Sequence, residues 1–419
     1  MLKAIIYRHV AAVIVISIIV LSAAGSSLAQ SGATRPRRTT PTQPTPAPST
    51  SSTADSSAAP AQTPTAARSN TPPAATRTTA AGTTDTTRAY SLLQQKQYDA
   101  AAKEASQVAA KDPKNSEAWK IAGFAKLSLK QYVDAASDLQ KAYDLQRAAK
   151  EDDVPTVDAL AQAYIRSEKY DQALPFLTAV TTRQGAKPDA LMLYYRGFAE
   201  YQTKKFTEAE RSFNEAIKAD PKNSAALFYL GRIAYDRKND DAAINALNRA
   251  TLSDPRLAEA WSYLTYAYLR RAEAAGGTGA KADADYQGAV RSSEGLFKVR
   301  NDEPAAALHA QALIRAQQYA RAATALERVA ANPNTQGSTL YLLGFSHSRA
   351  KNFPKAITAL ERAATKSSDD ANVFRELGYA HEASKQYAKA LAAYEKGLAL
   401  APTDEYFKES VERVRPFAK

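Results

Sequence analysis

Cysteine is absent from the 419 residues, and this absence excludes several kinds of site at once. The chain can form no disulfide, offers no thiolate nucleophile and has no thiolate ligand for a metal. It also lacks the cysteine that carries the lipid of an acylated lipoprotein. A cysteine-free chain suits an oxidising compartment without requiring one.

Long runs of one charge sign are absent as well. The chain is basic, with a net charge of +12 and a pI of about 9.5. Its lysines and arginines nevertheless form nothing longer than pairs such as Arg37-Arg38 and Lys204-Lys205. Scattered charge of this kind is typical of a solvated helical surface rather than of a groove that follows phosphates. We therefore expect no nucleic-acid partner.

Residues 1–29 have the three parts of a secretory signal peptide. Lys3 and Arg8 precede an apolar run at 10–21 that is interrupted only by Ser17, and Ser27-Leu28-Ala29 fits a small-x-small cleavage site. An uncleaved N-terminal anchor is the alternative, and the shortness of the apolar run favours cleavage. Both interpretations put the rest of the chain outside the inner membrane, because the positive end stays in the cytoplasm. The expected location is periplasmic or otherwise extracytoplasmic.

Residues 30–87 consist mainly of Thr, Pro, Ser and Ala, with no aromatic residue and only Asp55 and Asp85 as acidic residues. Such a segment has too little apolar surface to offset the entropy lost on ordering, so we expect a disordered linker. The simplest role is a spacer that lets the folded part reach away from a membrane or wall. A ligand for proline-binding grooves and a glycosylated stalk remain alternatives.

The rest of the chain repeats with a period of 34 residues. Gly197 and Gly231 are 34 residues apart, and so are Gly344 and Gly378. Counted from the start of each repeat, an apolar stripe runs through places four, seven, eight and eleven, which indicates one face of a helix. An aromatic residue is common at place seventeen, an alanine follows at place twenty, and proline often closes the repeat. This spacing predicts an all-α array of helical hairpins.

These residues resemble the tetratricopeptide repeat family, whose 34-residue pattern has tryptophan, leucine, glycine and tyrosine in the first helix. Trp119 and Trp261 occupy the tryptophan place. The match is strong at residues 116–149, 190–223, 224–257, 337–370 and 371–404, and weaker at 82–115, 154–187, 258–300 and 303–336. The resemblance implies a right-handed superhelical solenoid of about nine hairpins over 88–404, with a capping helix at 405–419.

One repeat departs from the period, because its second aromatic residue is delayed by twelve residues to Tyr286. The added stretch, 276–286, is rich in glycine and predicts a lengthened turn. It has no lysine-Ser/Thr pair of a phosphate-binding loop and no EF-hand pattern. His309, His347 and His381 stand at repeat places that pack helices, and no His-x-x-x-His pair exists. The sequence therefore predicts no metal, no cofactor and no enzyme.

In the resembling family the first helices line a concave groove, with places two, five, nine, twelve and thirteen facing it. Aromatic residues and arginines are frequent at those places here, and both residue types anchor interfaces. The residues that the resemblance assigns to a partner-binding groove are Phe124, Tyr194, Phe198, Tyr201, Phe228, Arg232, Tyr235, Tyr266, Arg270, Arg315, Tyr341, Phe345, Arg349, Arg375 and Tyr379. Their arginines would take carboxylates of the partner.

The leading hypothesis is a non-enzymatic interaction scaffold of the cell envelope that binds extended or helical segments of protein partners. The alternative is a carbohydrate-handling accessory protein in polysaccharide export, because aromatic faces stack on sugars. An enzyme with its site in the 276–286 insertion is a third and weaker hypothesis. Contact with a membrane would come only through an uncleaved N-terminal segment, and self-association stays open.

Overall fold

The computed structural model describes residues 85–418, with the exception of 184, 186 and 188. The signal peptide or anchor predicted at 1–29, and the linker predicted at 30–87 up to residue 84, lie outside the described residues. Within the described part, nineteen α-helices follow one another and no strand is present. The predicted all-α class is confirmed.

Eighteen of these helices form nine hairpins, which we number units 1 to 9 in chain order. The first helices of the units are α1 Thr87–Gln94, α3 Ser116–Ser128, α5 Val154–Arg166, α7 Ala190–Gln202, α9 Ser224–Asp236, α11 Ala258–Ala274, α13 Glu303–Arg315, α15 Gly337–Arg349 and α17 Ala371–Ala383. The second helices are α2 Tyr98–Lys111, α4 Tyr132–Ala148, α6 Tyr170–Thr181, α8 Phe206–Ala219, α10 Asp240–Ser253, α12 Ala280–Val299, α14 Tyr319–Ala330, α16 Phe353–Lys366 and α18 Tyr387–Leu400.

Each helix packs against the next one in the chain, and first helices of neighbouring units also touch one another. Second helices of neighbouring units do not contact one another to a comparable extent. The first helices are therefore the more closely spaced row and lie on the inner side of a curved array. This is the superhelical solenoid that the 34-residue period predicts.

Glycine at place eight lets the two helices of a unit approach closely. A methyl group added to Gly231 would lie 2.5 Å from Cγ of Leu247, and one added to Gly123 would lie 2.5 Å from Cγ of Leu139. Both leucines are fully buried. The alanine at place twenty, such as Ala243, is fully buried at the same crossing. Larger side chains at either place would separate the helices.

Polar groups at the unit boundaries define where first helices begin. Side-chain oxygens of Asn115 and Asn223 accept hydrogen bonds from the amides of Ala118 and Ala226, as N-caps do. The Trp261 indole N–H donates to the carbonyl of Pro255 in the preceding turn, at 2.9 Å. Proline ends one unit, and the capped helix after it starts the next.

The insertion in unit 6 lengthens the helices more than the turn between them, which corrects the prediction of a lengthened turn. Helix α11 has 17 residues and α12 has 20, whereas α9 and α10 have 13 and 14. A turn at 275–279 remains between α11 and α12. Arg271 fixes the extension, because it donates to both Asp285 in α12 and Asp241 in unit 5.

The array ends in a capping helix, α19 Glu405–Val414, followed by a 3-10 turn at Arg415–Phe417. Phe407, Val411 and Val414 are buried together with Tyr394 of unit 9. This helix covers the apolar side of the last unit, as predicted for the end of a repeat array. Among the described helices, none combines the length and the apolar character that crossing a bilayer requires.

Candidate functional site

The groove residues assigned from the sequence all lie on first helices, on the inner row of the array. They differ in how far they reach the surface. Tyr194, Phe198, Phe228 and Phe345 are buried, with 4–6% of their surface exposed. Tyr379 is exposed, and the remaining members are half-buried. The fifteen residues therefore divide into a buried layer and a set that reaches the groove.

The buried aromatic residues pack against one another between units 3, 4, 5 and 6. The ring of Phe198 lies 5.4 Å from that of Tyr229 and 5.5 Å from that of Tyr170. The ring of Phe228 lies 5.9 Å from that of Tyr263 in the next unit. Edge-to-face contacts of this kind stabilise the stacking of units. These side chains form a buried layer beneath the groove surface and are not available to contact a partner.

Four of the groove arginines already hold carboxylates of their own chain. Nη2 of Arg270 is 2.5 Å from Asp240, that of Arg315 is 2.7 Å from Glu273, and that of Arg349 is 2.9 Å from Glu376. Arg375 pairs with Asp404. Each pair joins consecutive units or the last unit to its cap. From the sequence, these arginines were expected to bind carboxylates of a partner, whereas in the structure they pair with carboxylates of their own chain.

Arg232 differs from these four arginines. Its guanidinium carbon lies 5.4 Å from the ring centres of both Tyr201 and Tyr263. Among the described residues it has no salt bridge and no hydrogen-bond partner, and its Nε is buried without one. Cation–π attraction to two aromatic faces holds the guanidinium in this position. Arg232 thus presents to the groove a guanidinium that has a fixed direction and makes no salt bridge with a described residue.

The surroundings of Arg232 are polar and partly desolvated. Asp236 follows one helical turn later, and burial raises the pKa of its carboxyl while Arg232 and Arg270 oppose that rise. Burial also raises the pKa of Tyr201 and Tyr263, so both keep their hydroxyl protons at neutral pH. The half-buried tyrosines can therefore donate hydrogen bonds beside a positively charged centre.

Two residues that contact groove arginines could not be identified from the family pattern, one beside Arg232 and one beside Arg349. Tyr263 stands at place six, which is not a groove place in the family pattern, yet its ring covers one side of Arg232. Its spacing of one helical turn from Tyr266 was the available signal. Glu376 also stands at place six and pairs with Arg349. Its signal was weaker, because a single glutamate in a helix is ordinarily solvated.

The three described histidines lie in the packing between helices. His309 contacts the hydroxyl of Ser293 at 3.0 Å, His347 lies 3.3 Å from Glu327, and His381 contacts Gln386 at 3.1 Å. Burial lowers the pKa of all three imidazoles. Within residues 85–418, where described, no three metal-ligating side chains come together.

Comparison with known proteins identifies the repeats. The family model described as tetratricopeptide repeat matches residues 86–152, 159–221, 199–260 and 341–405, which together are more than half of the chain. A second model, described as subunit 3 of the anaphase-promoting complex, cyclosome, matches residues 283–363. No curated protein matches the chain.

Several solved structures are similar in fold. The C-terminal part of a TPR repeat-containing protein from Cytophaga hutchinsonii is 14% identical, with 70% of this chain and 99% of that chain covered and a TM-score of 0.44. A tetratricopeptide repeat protein from Parabacteroides merdae is 16% identical, with 62% and 98% covered and a TM-score of 0.38. YrrB, described as a TPR protein with an unusual peptide-binding site, is 13% identical, with 48% and 99% covered and a TM-score of 0.41.

Proposed function

We propose a function on the premise that this chain belongs to the tetratricopeptide repeat family, as its matches to that family's model establish. The fold supports a protein–protein interaction scaffold in general, and proteins of this family are generally non-catalytic. We assign the chain a more specific role within that class. It holds an extended or helical segment of a protein partner in the groove of its first helices and acts as a scaffold of the cell envelope.

The observation that carries the groove assignment is the position of Arg232 between Tyr201 and Tyr263, without a salt bridge to any described residue. Tyrosine and arginine dominate the energetics of interfaces, because they combine large contact area with polar ends. A positively charged centre with tyrosine hydroxyls around it favours a carboxylate or backbone carbonyl groups of the partner. Tyr235, also half-buried, extends this surface toward unit 6.

The envelope assignment rests on the sequence of residues 1–29, which have the signal-peptide pattern. Export would place the scaffold outside the inner membrane, with the linker at 30–87 giving it reach. Fusion of residues 1–40 to a reporter that is active only after export tests this directly. Retention of that reporter in the cytoplasm would contradict the assignment.

The carbohydrate alternative has less support. Sugars stack on open aromatic faces, whereas Tyr201 and Tyr263 have Arg232 over their rings. Arg270 lies 3.7 Å from the ring centre of Tyr235, and Arg349 lies 5.3 Å from that of Tyr379. The groove tyrosines are therefore better suited to polar partners than to pyranose faces. Binding in a glycan screen without any protein partner would reverse this preference.

Site-specific crosslinking in cells tests the groove. A photoreactive residue replaces Tyr201, which is half-buried on a first helix, and in a matched control it replaces Leu252, which is 82% exposed on second helix α10. We expect a partner captured from position 201 and not from position 252. Its affinity, measured with purified protein, should fall at least about tenfold in an R232A variant. Equal capture at both positions, or unchanged affinity of R232A, would contradict the groove assignment.

A further inference from the structure

The turn inside each hairpin has an unusual residue at its centre. In eight of the nine units, a residue other than glycine adopts a positive φ there, and the values range from 58° to 63°. Six of these eight residues are lysines: Lys96, Lys130, Lys204, Lys238, Lys351 and Lys385. The exceptions are Glu168 and Gln317. We call the six residues the lysine edge.

The six lysines lie along one edge of the array. Each follows the C-terminal end of a first helix, and first helices of neighbouring units pack side by side in the same direction. Their C-terminal ends therefore emerge on the same edge. Contacts between units confirm this adjacency, since Arg237 in the turn of unit 5 pairs with Glu210 of unit 4 at 2.5 Å. The repeat thus gathers charges that are scattered in the sequence.

All six side chains are exposed, and none of their ammonium groups has a salt bridge or hydrogen bond to a described residue. Other lysines of the array do make such pairs, as Lys126 does with Asp138 at 2.5 Å. The edge is most cationic in units 8 and 9, where the first turns of α16 and α18 contain no acidic residue. In units 1, 2, 4 and 5 an aspartate or glutamate stands in that turn.

Lysine is not the residue that the turn geometry favours. A left-handed conformation strains any residue with a Cβ, and glycine adopts it without that strain. A cation also interacts favourably with the C-terminal end of a helix, but this effect is screened at an exposed position. Lys150, which follows α4 away from this edge, adopts the same conformation at a φ of 59°. The edge is therefore distinguished by its six exposed ammonium groups without partners and not by the turn geometry alone.

We propose that the lysine edge docks the solenoid onto the anionic phospholipid headgroups of a membrane surface. Unpaired, exposed ammonium groups in a row complement a surface of phosphates, and each lysine near such a surface adds to the attraction. The export signal proposed at residues 1–29 brings this chain to the inner membrane whether or not that segment is then cleaved. If the segment stays as an anchor, the linker at 30–87 is long enough for the solenoid to return to that membrane. Membrane contact then extends beyond the N-terminal segment.

Vesicle sedimentation with the full chain tests this proposal. One variant changes all six edge lysines to glutamine. The matched control changes six other exposed lysines to glutamine. These lie away from the lysine edge, at the ends of second helices and in the turns after them, and are Lys111, Lys114, Lys150, Lys218, Lys222 and Lys366. Both variants have the same net charge and the same N-terminal segment, so their difference reports the edge. Circular dichroism verifies that both remain folded.

On vesicles of phosphatidylglycerol and phosphatidylcholine, we expect the edge variant to bind at least about tenfold more weakly than the control variant, and the difference to shrink at high salt. Substitution of Lys351 and Lys385 alone should account for most of the loss. Equal binding of the two six-lysine variants would overturn the proposal. So would binding of the unaltered chain to pure phosphatidylcholine at the same strength, or tighter binding to duplex DNA than to the anionic vesicles.

A second measurement tests the strain. Changing the six edge lysines to glycine should raise the melting temperature by roughly 5 °C relative to the six glutamine changes, because only glycine relieves the left-handed conformation. Vesicle binding should be lost equally in both variants. A glycine variant that melts below the glutamine variant would show that a side chain stabilises these turns, and would overturn the argument that lysine is present there for its charge.

Discussion

Arg349 donates a hydrogen bond to Glu376 across the boundary between units 8 and 9, with 2.9 Å between Nη2 and Oε1. The glutamate side chain is 8% exposed, and its Oε2 is buried without a hydrogen-bond partner in the described part of the chain. Burial raises the pKa of Glu376, although Arg349 and Arg375 favour its charged form. The pair fixes the packing of α15 against α17 and leaves one buried oxygen unsatisfied.

Substitutions of Arg349 and of Glu376 should lower the free energy of unfolding by different amounts. An R349A variant leaves a buried carboxylate without its main partner and should lose about 3 kcal/mol of unfolding free energy. An E376Q variant keeps a hydrogen-bond acceptor and removes the charge that burial disfavours, so it should lose about 1 kcal/mol or less. Urea denaturation at neutral pH, followed by circular dichroism, measures both. Equal losses would contradict the assigned burial of Glu376.

Aromatic residues of the groove should separate into supporting and accessible classes on mutation. Phe198 is 5% exposed and packs against three rings, so F198A should destabilise the solenoid by about 3 kcal/mol. Tyr379 is 38% exposed, and Y379A should cost less than about 1 kcal/mol. Chemical denaturation of the two variants checks this. A Y379A loss as large as that of F198A would show that both rings are structural.

The fold could be predicted from the sequence because the same residue types recur at the same places in each repeat. Glycine at place eight, alanine at place twenty and a closing proline each reflect a contact within one hairpin, and such local contacts follow from spacing alone. The insertion after Tyr268 was harder to interpret. Its glycines indicated a turn, but helix propensity in its flanks extended α11 and α12 instead.

From the sequence, the groove could be predicted only as one face of the first helices, without the contacts that each side chain makes there. Sequence places identify which side of a helix a residue occupies, but not which neighbour reaches it from the next unit. Arg270 was therefore expected to be available, whereas Asp240 of the preceding unit holds it at 2.5 Å. Arg232 and Arg270 are both arginines on the groove face of first helices. Only the three-dimensional arrangement distinguishes the unpaired arginine from the paired one.

Close helix packing at place eight can be tested at Gly231. In a G231A variant the new methyl group would meet Leu247, whose Cγ and Cδ2 lie 2.5 and 2.8 Å from the ideal Cβ position. Although alanine favours helix more than glycine, the clash should dominate, and the variant should lose about 1–2 kcal/mol. Thermal or urea unfolding measures the loss.

A double variant distinguishes the clash from a backbone effect. L247A alone creates a cavity and should cost about 3 kcal/mol. When G231A is added to L247A, the methyl group occupies part of that cavity, so the combined loss should be smaller than the sum of the single losses. Strictly additive losses would mean that the two side chains do not meet.

His347 should make the C-terminal units sensitive to acid. Burial lowers the pKa of its imidazole below the ordinary value of 6.5, with Lys355 adding to this effect and Glu327, 3.3 Å away, opposing it. The unfolded chain therefore binds this proton at higher pH than the folded chain does. The stability contributed by neutral His347 is complete above about pH 6.5 and is lost as the pH falls from there through the lowered folded value.

Two measurements follow for His347. A nuclear magnetic resonance titration of the imidazole should give a pKa below 6.5. Between about pH 7.5 and 5.5, the unaltered chain should lose more thermal stability than an H347Q variant, because glutamine does not titrate and every other ionisable group is common to both. A titration at or above the ordinary value, or parallel pH profiles of the two chains, would mean that Glu327 outweighs burial and that this histidine is charged in the folded array.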